Sequence, residues 1–151
     1  MDKPFVVAAI PAFNEERTIA KVVILAQKYV DKVIVCDDGS SDLTGEIAKR
    51  LGAEVIRHER NMGYGAALRS LFKRAQEIDP DAMVTLDADY QHNPEDIPKI
   101  LEPILREEAD VVVGSRFLAG GYNEVPKYRM YGIKVITNLV RVASYKEITD
   151  A

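Results

Sequence analysis

Short apolar runs alternate with longer amphipathic segments along the chain. Residues 5–10 are almost entirely apolar, which is typical of a strand covered by helices on both faces. Apolar residues then recur at helical spacing behind Asn14, a good N-cap residue, and Glu15 and Glu16 suit a first helical turn. The pattern predicts a strand over residues 5–10 and a helix over residues 15–30.

The same alternation continues through the rest of the chain. Ser41 is predicted to cap a second helix that ends before Gly52, and Pro94 behind Asn93 is typical of a helix start. The other predicted elements are strands over residues 32–36, 54–58, 82–87 and 111–115 and helices over residues 64–78, 94–107 and 127–145, with a loop over residues 118–124. Strands separated by helices predict a mainly parallel α/β sheet, with the short strand at 54–58 near its edge.

The composition fits one soluble domain. The 151 residues are 47% hydrophobic and 29% charged, a balance that supports a core without disorder. The net charge of -4 argues against a broad nucleic-acid surface. Cys36 is the single cysteine, so we expect a buried thiol and a reducing compartment. Without a signal peptide or an apolar span of about 20 residues, this segment is expected to be cytoplasmic.

Polar residues follow each predicted strand where the strand ends. Ligands of parallel α/β sheets bind outside the carboxyl ends of the strands, so this edge is the candidate site. The residues expected there are Asn14, Glu15, Asp37, Asp38, Asn61, Gly63, Asp87, Asp89, Ser115 and Arg116.

Asp87 and Asp89 place two carboxylates one residue apart directly after a buried strand. Such hard oxygen ligands, completed by substrate phosphates, suit Mg²⁺ or Mn²⁺, and Gln91 would add a further oxygen. The pair would also serve as an ordinary helix cap, and its placement at the ligand edge favours the metal site.

Asp37 and Asp38 form a second acidic pair, which would accept hydrogen bonds from a nucleobase or ribose or simply make a turn before the Ser41 cap. Gly63 permits close approach of the backbone to a ligand, and Arg69 and Arg116 are candidate anion contacts. No glycine fingerprint of dinucleotide binders or phosphate loop occurs, which disfavours both of those chemistries.

Five ordered motifs carry a family resemblance. They are IPAFNEE at residues 10–16, DDGSSD at 37–42, RNMGYG at 60–65, DADYQHNPE at 87–95 and GSR at 114–116. Together they closely resemble the inverting family 2 glycosyltransferases, particularly the polyprenyl-phosphate (dolichyl-phosphate) glycosyltransferases. The family usually has proline where this chain has Asn93, a change in the helix cap that leaves the metal motif intact.

The resemblance implies a Rossmann-like GT-A fold, a UDP- or GDP-sugar donor, a Mg²⁺ or Mn²⁺ cofactor and a polyprenyl-phosphate acceptor at a membrane surface. It implies metal ligation by Asp87, Asp89 and Gln91, and acceptor phosphate contacts from Arg116 and Arg129. It places Pro11, Glu15, Asp37 and Gly63 around the nucleoside. The full set expected to bind the nucleotide sugar is Pro11, Ala12, Asn14, Glu15, Asp37, Asp38, Gly63, Arg69, Asp87 and Ala88. His92 is interpreted as a loop residue without a proton-transfer role.

The family resemblance also bears on the end of the sequence. Thr149 and Asp150 resemble a pair that leads into an acceptor-site segment, so Asp150 joins Asp89 and Arg116 in the expected catalytic set. Residues 1–151 are therefore expected to be one catalytic domain, truncated on its acceptor side. Two alternatives stay open: a sugar-1-phosphate nucleotidyltransferase, which normally has an early glycine-rich loop, and a non-catalytic nucleotide-sugar-binding module.

Overall fold

The computed structural model describes residues 3–115. Residues Met1–Val112 belong to one compact unit and Val113–Ala151 to a second. The predicted loop at 118–124 and helix at 127–145, together with Arg116, Arg129 and Asp150, lie outside the described residues. The prediction of a single catalytic domain stays a prediction.

The described residues form a parallel sheet with helices packed on it. Its strands lie in the order β3-β2-β1-β4, and every strand pairing is parallel. The strands are β1 (Val6–Ala12), β2 (Lys32–Asp37), β3 (Glu54–Arg57) and β4 (Ala82–Thr85), and the helices are α1 (Ile19–Ala26), α2 (Thr44–Arg50), α3 (Tyr64–Ile78) and α4 (Ile97–Leu105), with a 3-10 turn at Pro94–Asp96 before α4. The predicted α/β architecture and the edge position of β3 are confirmed.

The two faces of β1 explain why its sequence is continuously apolar. Ile10 and the residues alternating with it pack in a cluster that contains Val22 of α1 and Ile97 of α4. Val7 and its alternates pack on the other face in a cluster that contains Leu71 of α3. Every residue of β1 is buried, because helices cover both sides of the strand.

The predicted fifth strand is wrong for the described residues. Residues 111–115 have no regular secondary structure, and Val111 and Val113 are 78% and 75% exposed. An apolar run becomes a strand only when its backbone groups pair with a neighbour, and the sheet of residues 3–115 provides no such pairing for this segment. The apolar pattern alone did not specify a partner.

Two predicted helix caps are also wrong. Asn14 adopts a left-handed conformation with φ 54°, and its side-chain oxygen accepts a hydrogen bond from the Ser41 backbone N–H at 2.9 Å. Helix α1 therefore begins only at Ile19, after a turn. Ser41 does not cap α2 either, since Asp42 Oδ1 accepts from the Thr44 N–H at 2.9 Å. Both side chains are drawn into contacts between loops, which local helix signals do not reveal.

The bounds of α3, the stop after α2 and the cap before α4 follow the local signals, whereas α1 ends at Ala26, four residues before its predicted end. Helix α3 has the predicted bounds, and Gly52 follows α2 with φ 87°, as expected of a glycine stop. Asn93 accepts a hydrogen bond from the Glu95 N–H at 3.2 Å, which confirms it as a cap. Within residues 3–115, no helix has the length and apolar character needed to cross a bilayer.

Candidate donor-sugar and metal site

The loops that follow β1 and β2 are tied together by reciprocal hydrogen bonds. The backbone N–H groups of Asn14, Glu15 and Glu16 donate to side-chain oxygens of the second loop. Their acceptors are Ser40 Oγ at 2.9 Å, Thr44 Oγ1 at 2.8 Å and Asp42 Oδ2 at 3.1 Å. In return, Asn14 and Glu16 accept from backbone groups of the second loop. The two motifs therefore form one rigid edge of the site.

Asp38 organises the loop before α3. Its Oδ1 accepts from Met62 N at 2.9 Å and from His58 Nδ1 at 2.6 Å, and its Oδ2 accepts from Gly63 N at 2.8 Å. Burial by itself raises the pKa of Asp38, but these hydrogen bonds outweigh it and leave the pKa below its usual value. Gly63 has φ 91° and ψ 158°, a conformation accessible essentially to glycine alone.

Asp37 makes a turn, which is one of the two roles that the sequence allowed for this loop. Its carboxylate is fully buried, accepts from Arg57 at 2.7 Å and from the Ser40 N–H at 2.9 Å, and lies against Gly45 of α2. Asp37 is not among the residues that line the cavity at this edge. Of the two adjacent acidic residues, only Asp38 reaches the cavity, because successive side chains at the end of a strand point to opposite faces.

A cavity of about 470 Å³ opens at the carboxyl edge of the sheet. This volume lies in the range of small-ligand sites. Its lining comes from the end of β1, four loops and the start of α3, and consists of Pro11, Ala12, Phe13, Glu15, Asp38, Asn61, Gly63, Tyr64, Ala67, Asp87, Ala88 and Asp89. The structure therefore places residues of the IPAFNEE motif, the turn at Gly63 and the carboxylates of Asp87 and Asp89 around one cavity.

The carboxylates of Asp87 and Asp89 are held in place by neighbouring donors. Tyr64 donates its hydroxyl hydrogen to Asp87 Oδ1 at 3.3 Å, and the Gln91 N–H donates to Asp89 Oδ1 at 2.8 Å. Partial burial first, and then the charge of Asp87 and its hydrogen bond, raise the pKa of Tyr64, so the phenol stays protonated as a donor. His92 lies in the following loop, as predicted, where its Nδ1 accepts from the Asp87 N–H at 3.2 Å.

This donor set fits a divalent cation that is shared with a substrate. Among residues 3–115, no cluster of three or more His, Cys, Asp or Glu side chains is arranged to hold a metal ion by itself. Two carboxylates on one cavity wall match the way Mg²⁺ and Mn²⁺ bind, through few protein ligands with phosphate oxygens and water completing the shell. The two carboxylates therefore supply part of a coordination shell, and a diphosphate that binds together with the metal would supply further oxygen ligands.

The structure separates the predicted donor residues into two groups. Those at the cavity are Pro11, Ala12, Glu15, Asp38, Gly63, Asp87, Ala88 and Asp89. Asn14 and Asp37 are instead bonded within the loops, and Arg69 and Gln91 are exposed side chains outside the cavity lining. The roles of Arg116, Arg129 and Asp150 concern residues that the structure does not describe.

Sequence reasoning did not select three residues of the cavity wall. Phe13 lies between two motif residues, Tyr64 is the first residue of α3, and Ala67 follows it by three positions on the same helical face. The helical spacing behind Gly63 is the signal that would have identified Tyr64 and Ala67. His58 was considered only as the end of a strand, and nothing local indicated its contact with Asp38.

Acid is expected to destabilise the fold through the carboxylates of these loops. The pKa values of Asp38 and Asp42 lie below their usual range, because hydrogen bonds to the charged forms outweigh burial. A lowered native pKa means that the unfolded state binds more protons. The stabilisation is therefore complete above the unfolded pKa of about 3.9 and is lost as the pH falls below it.

Urea unfolding between pH 7 and pH 3 measures this loss. The wild-type free energy of unfolding should fall steeply near pH 4 and below. Asp38→Asn should be less stable at pH 7, because an amide nitrogen would then face a backbone or ring donor, and its stability should vary less with pH. Equal pH slopes in the two proteins would contradict the assignment to Asp38.

Comparison with known proteins identifies the family. The chain belongs to glycosyl transferase family 2, whose family model matches residues 7–144. It is 39% identical over 191 residues to UDP-N-acetylglucosamine–dolichyl-phosphate N-acetylglucosaminyltransferase of Methanococcus voltae, covering 94% of this chain and 76% of that protein. It is 36% identical over 152 residues to dolichol-phosphate mannosyltransferase of Pyrococcus furiosus, covering 93% of this chain and 42% of that protein.

A solved structure shows the same fold. Glucosyl-3-phosphoglycerate synthase of Mycobacterium tuberculosis, crystallised with Mn²⁺, UDP-glucose and phosphoglyceric acid, superposes with a TM-score of 0.58 at 30% identity. The match covers 70% of this chain and 41% of that one. The GT-A type fold predicted from the motifs is thereby confirmed. The chain spans about half the length of most of the curated relatives it matches.

Proposed function

We propose that this chain carries the donor site of a metal-dependent hexosyltransferase, which moves a hexose from a UDP- or GDP-sugar to a polyprenyl phosphate with inversion at the anomeric carbon. The observation that carries the proposal is the cavity, in which Asp87 and Asp89 face the Pro11 loop and the Gly63 turn. The named activities of the relatives from Methanococcus voltae and Pyrococcus furiosus support the choice of acceptor.

Asp87 and Asp89 are the proposed metal ligands, and Gln91 is a proposed third, reached by a change of its exposed side chain. A divalent ion there supplies positive charge to the departing diphosphate. Mn²⁺ accompanies UDP-glucose in the related synthase, and we propose that either Mn²⁺ or Mg²⁺ serves in this chain. The two aspartates would hold the ion at the part of the cavity where the diphosphate would lie.

The other residues of the cavity suit the nucleoside. Pro11 and Phe13 present apolar surface, while Glu15, Asp38 and Asn61 supply polar groups. Pockets of this kind bind by apolar contact and gain orientation from a few polar groups. We propose that these residues hold the base and ribose, with the sugar directed along the cavity toward the metal side.

The proposed transfer is a single displacement. An acceptor oxygen bonds to the anomeric carbon while the bond from that carbon to the diphosphate oxygen breaks, which inverts the configuration. A phosphate monoester has a second pKa of about 6, so it is largely dianionic at neutral pH and needs no protein base. Positioning of that phosphate is the proposed role of Arg116 and Arg129, with Asp150 on the acceptor side. This acceptor would place the reaction at the cytoplasmic face of a membrane.

Thermal unfolding with nucleotide sugars tests the donor site. A ligand that binds only the native state at about a hundredfold its Kd adds roughly 2.7 kcal/mol to the stability. UDP- or GDP-sugars should raise the Tm of the wild-type protein, and more so with Mn²⁺ than without it. No shift with any nucleotide, with or without metal, would contradict the proposal.

Transfer itself is tested with labelled UDP- and GDP-sugars, Mn²⁺ and a polyprenyl phosphate. Lipid-linked sugar is the expected product. Metal-dependent binding without product would favour a non-catalytic binding module. Nucleotide exchange that depends on pyrophosphate would favour a sugar-1-phosphate nucleotidyltransferase.

A further inference from the structure

His58 is a nearly enclosed histidine with a partner on each ring nitrogen. It follows β3, and its side chain is 11% exposed. Nδ1 lies 2.6 Å from Asp38 Oδ1, and Nε2 lies 2.9 Å from Ser70 Oγ of α3. Cys36 Sγ of β2 is 3.6 Å from the same Nε2. The ring therefore bridges two strands and a helix directly behind the cavity wall.

The direction of these hydrogen bonds follows from the state of Asp38. Because its pKa is lowered, Asp38 is a carboxylate at neutral pH and can only accept, so His58 Nδ1 is the donor. In the neutral ring, Nε2 is then left as the acceptor for the Ser70 hydroxyl. Both ring nitrogens are thus used, which fixes the orientation of the imidazole and, through it, that of the carboxylate.

The oriented carboxylate of Asp38 in turn fixes the backbone of the turn at residues 61–63. Its two oxygens accept from the N–H groups of Met62 and Gly63, and Gly63 N also donates to Asn61 Oδ1 at 3.1 Å. Residues 61, 63 and 64 form part of the cavity wall. A rotation of the Asp38 carboxylate would release two amides at the point where the backbone approaches the ligand space.

We propose that His58 is a positioning residue of the nucleotide site, which acts by fixing Asp38 and so the turn at residues 61–63. The inference rests on the proposed function in so far as the cavity binds a nucleotide. His58 itself does not line the cavity, so its effect on ligand binding must pass through Asp38.

Two substitutions at position 58 separate positioning from packing. In His58→Asn, the side-chain amide nitrogen takes the place of Nδ1 and keeps the donor to Asp38. His58→Leu fills similar space without a donor and leaves the carboxylate short of one hydrogen bond in a buried site. We expect His58→Leu to weaken UDP or GDP binding, measured by calorimetry, by about tenfold, and His58→Asn by about threefold or less. In transfer assays, the KM for the nucleotide sugar should rise with kcat nearly unchanged.

Amide hydrogen exchange of the ligand-free protein tests the same link without any nucleotide. The N–H groups of Met62 and Gly63 should exchange about tenfold faster in His58→Leu and about threefold faster or less in His58→Asn, which keeps the donor to Asp38 but lacks the bond to Ser70. Ser70→Ala removes only the hydroxyl partner of Nε2, leaves Cys36 beside it and the side-chain volume almost unchanged, and should give an intermediate increase. It serves as the test variant if His58→Leu does not fold.

Two results would overturn the inference. One is unchanged exchange and affinity in His58→Leu. The other is equal loss in His58→Asn and His58→Leu, which would show that the ring only fills space. If wild-type protein binds neither UDP nor GDP, the proposed function fails, while the exchange rates of Met62 and Gly63 still decide whether His58 positions the turn.

Discussion

Replacing Asp89 by alanine is expected to reduce sugar transfer by about a thousandfold or more while the fold survives. A metal that neutralises the leaving diphosphate contributes several kcal/mol to the transition state, and each 1.4 kcal/mol corresponds to about tenfold in rate. Asp89 is only partly buried, and its one described hydrogen bond is with the Gln91 N–H, so the cost in stability should be near 1 kcal/mol.

The measurement combines initial transfer rates with a Mn²⁺ titration of nucleotide binding. The variant should bind UDP or GDP with little dependence on Mn²⁺, whereas the wild type should depend on it strongly. Asp110→Ala is the matched control, since it removes an exposed aspartate outside the cavity lining and should change neither quantity. Transfer by Asp89→Ala at more than a tenth of the wild-type rate would remove Asp89 from the metal site.

The second large effect is expected from Gly39→Ala. Gly39 has φ 73°, and a Cβ atom there would overlap the backbone of Arg60 and Asn61. Left-handed strain of about 1 to 2 kcal/mol adds to overpacking of similar size, so we expect a loss of about 3 kcal/mol and a fall in Tm of roughly 10 °C. The overlap cannot be relieved by a side-chain rotation, because the opposing atoms are backbone.

Two further glycines, one before α3 and one within it, provide graded controls. Gly63 has φ 91° but open space around its Cα, so Gly63→Ala should cost only the conformational strain. Gly65 lies in α3 with open space, and Gly65→Ala should be neutral or should stabilise by up to about 1 kcal/mol. Thermal unfolding of the three variants should rank them in that order, and a Gly39→Ala protein as stable as Gly65→Ala would contradict the close packing of the two loops.

The hydrogen bonds distinguish polar side chains that hold the loops together from polar side chains that line the cavity. Asn14, Asp42 and Thr44 are used to join the first two loops, and Asp37 is used to hold Arg57 and the start of its own turn. These polar groups stand beside the cavity without lining it. The motif residues at this edge therefore serve two purposes: some build a rigid rim, and others present oxygen atoms to the ligand space.

Much of the fold was predictable because its signals are local. The apolar run at β1, the period of α3 and the stop at Gly52 each depend on neighbours within a few residues, and the structure confirms all three. The placement of Asp87 and Asp89 at the cavity was predictable for a related reason. Residues directly after a parallel strand must lie at the carboxyl edge of the sheet.

Contacts between distant segments could not be predicted in this way. Asn14 has every local property of a helix cap, yet Ser41, which follows the adjacent strand, takes its side-chain oxygen. Residues 111–115 have the composition of a strand, but in the described structure no strand pairs with them. In both cases the stability of the predicted local structure depends on a partner far away in sequence. The local pattern carries no information about that partner.

The amino-acid sequence by itself therefore determined the parallel α/β architecture, the family motifs and the edge at which Asp87 and Asp89 lie, because strand and helix periodicity are properties of short segments. Only the tertiary structure decided that Asp38 rather than Asp37 reaches the cavity and that His58 stands behind it. That choice depends on which donors surround each carboxylate. Asp37 is held by Arg57 of β3 and by the Ser40 N–H, whereas Asp38 is held by His58, which follows β3, and by the turn at residues 61–63, which approaches β2 only when the chain is folded.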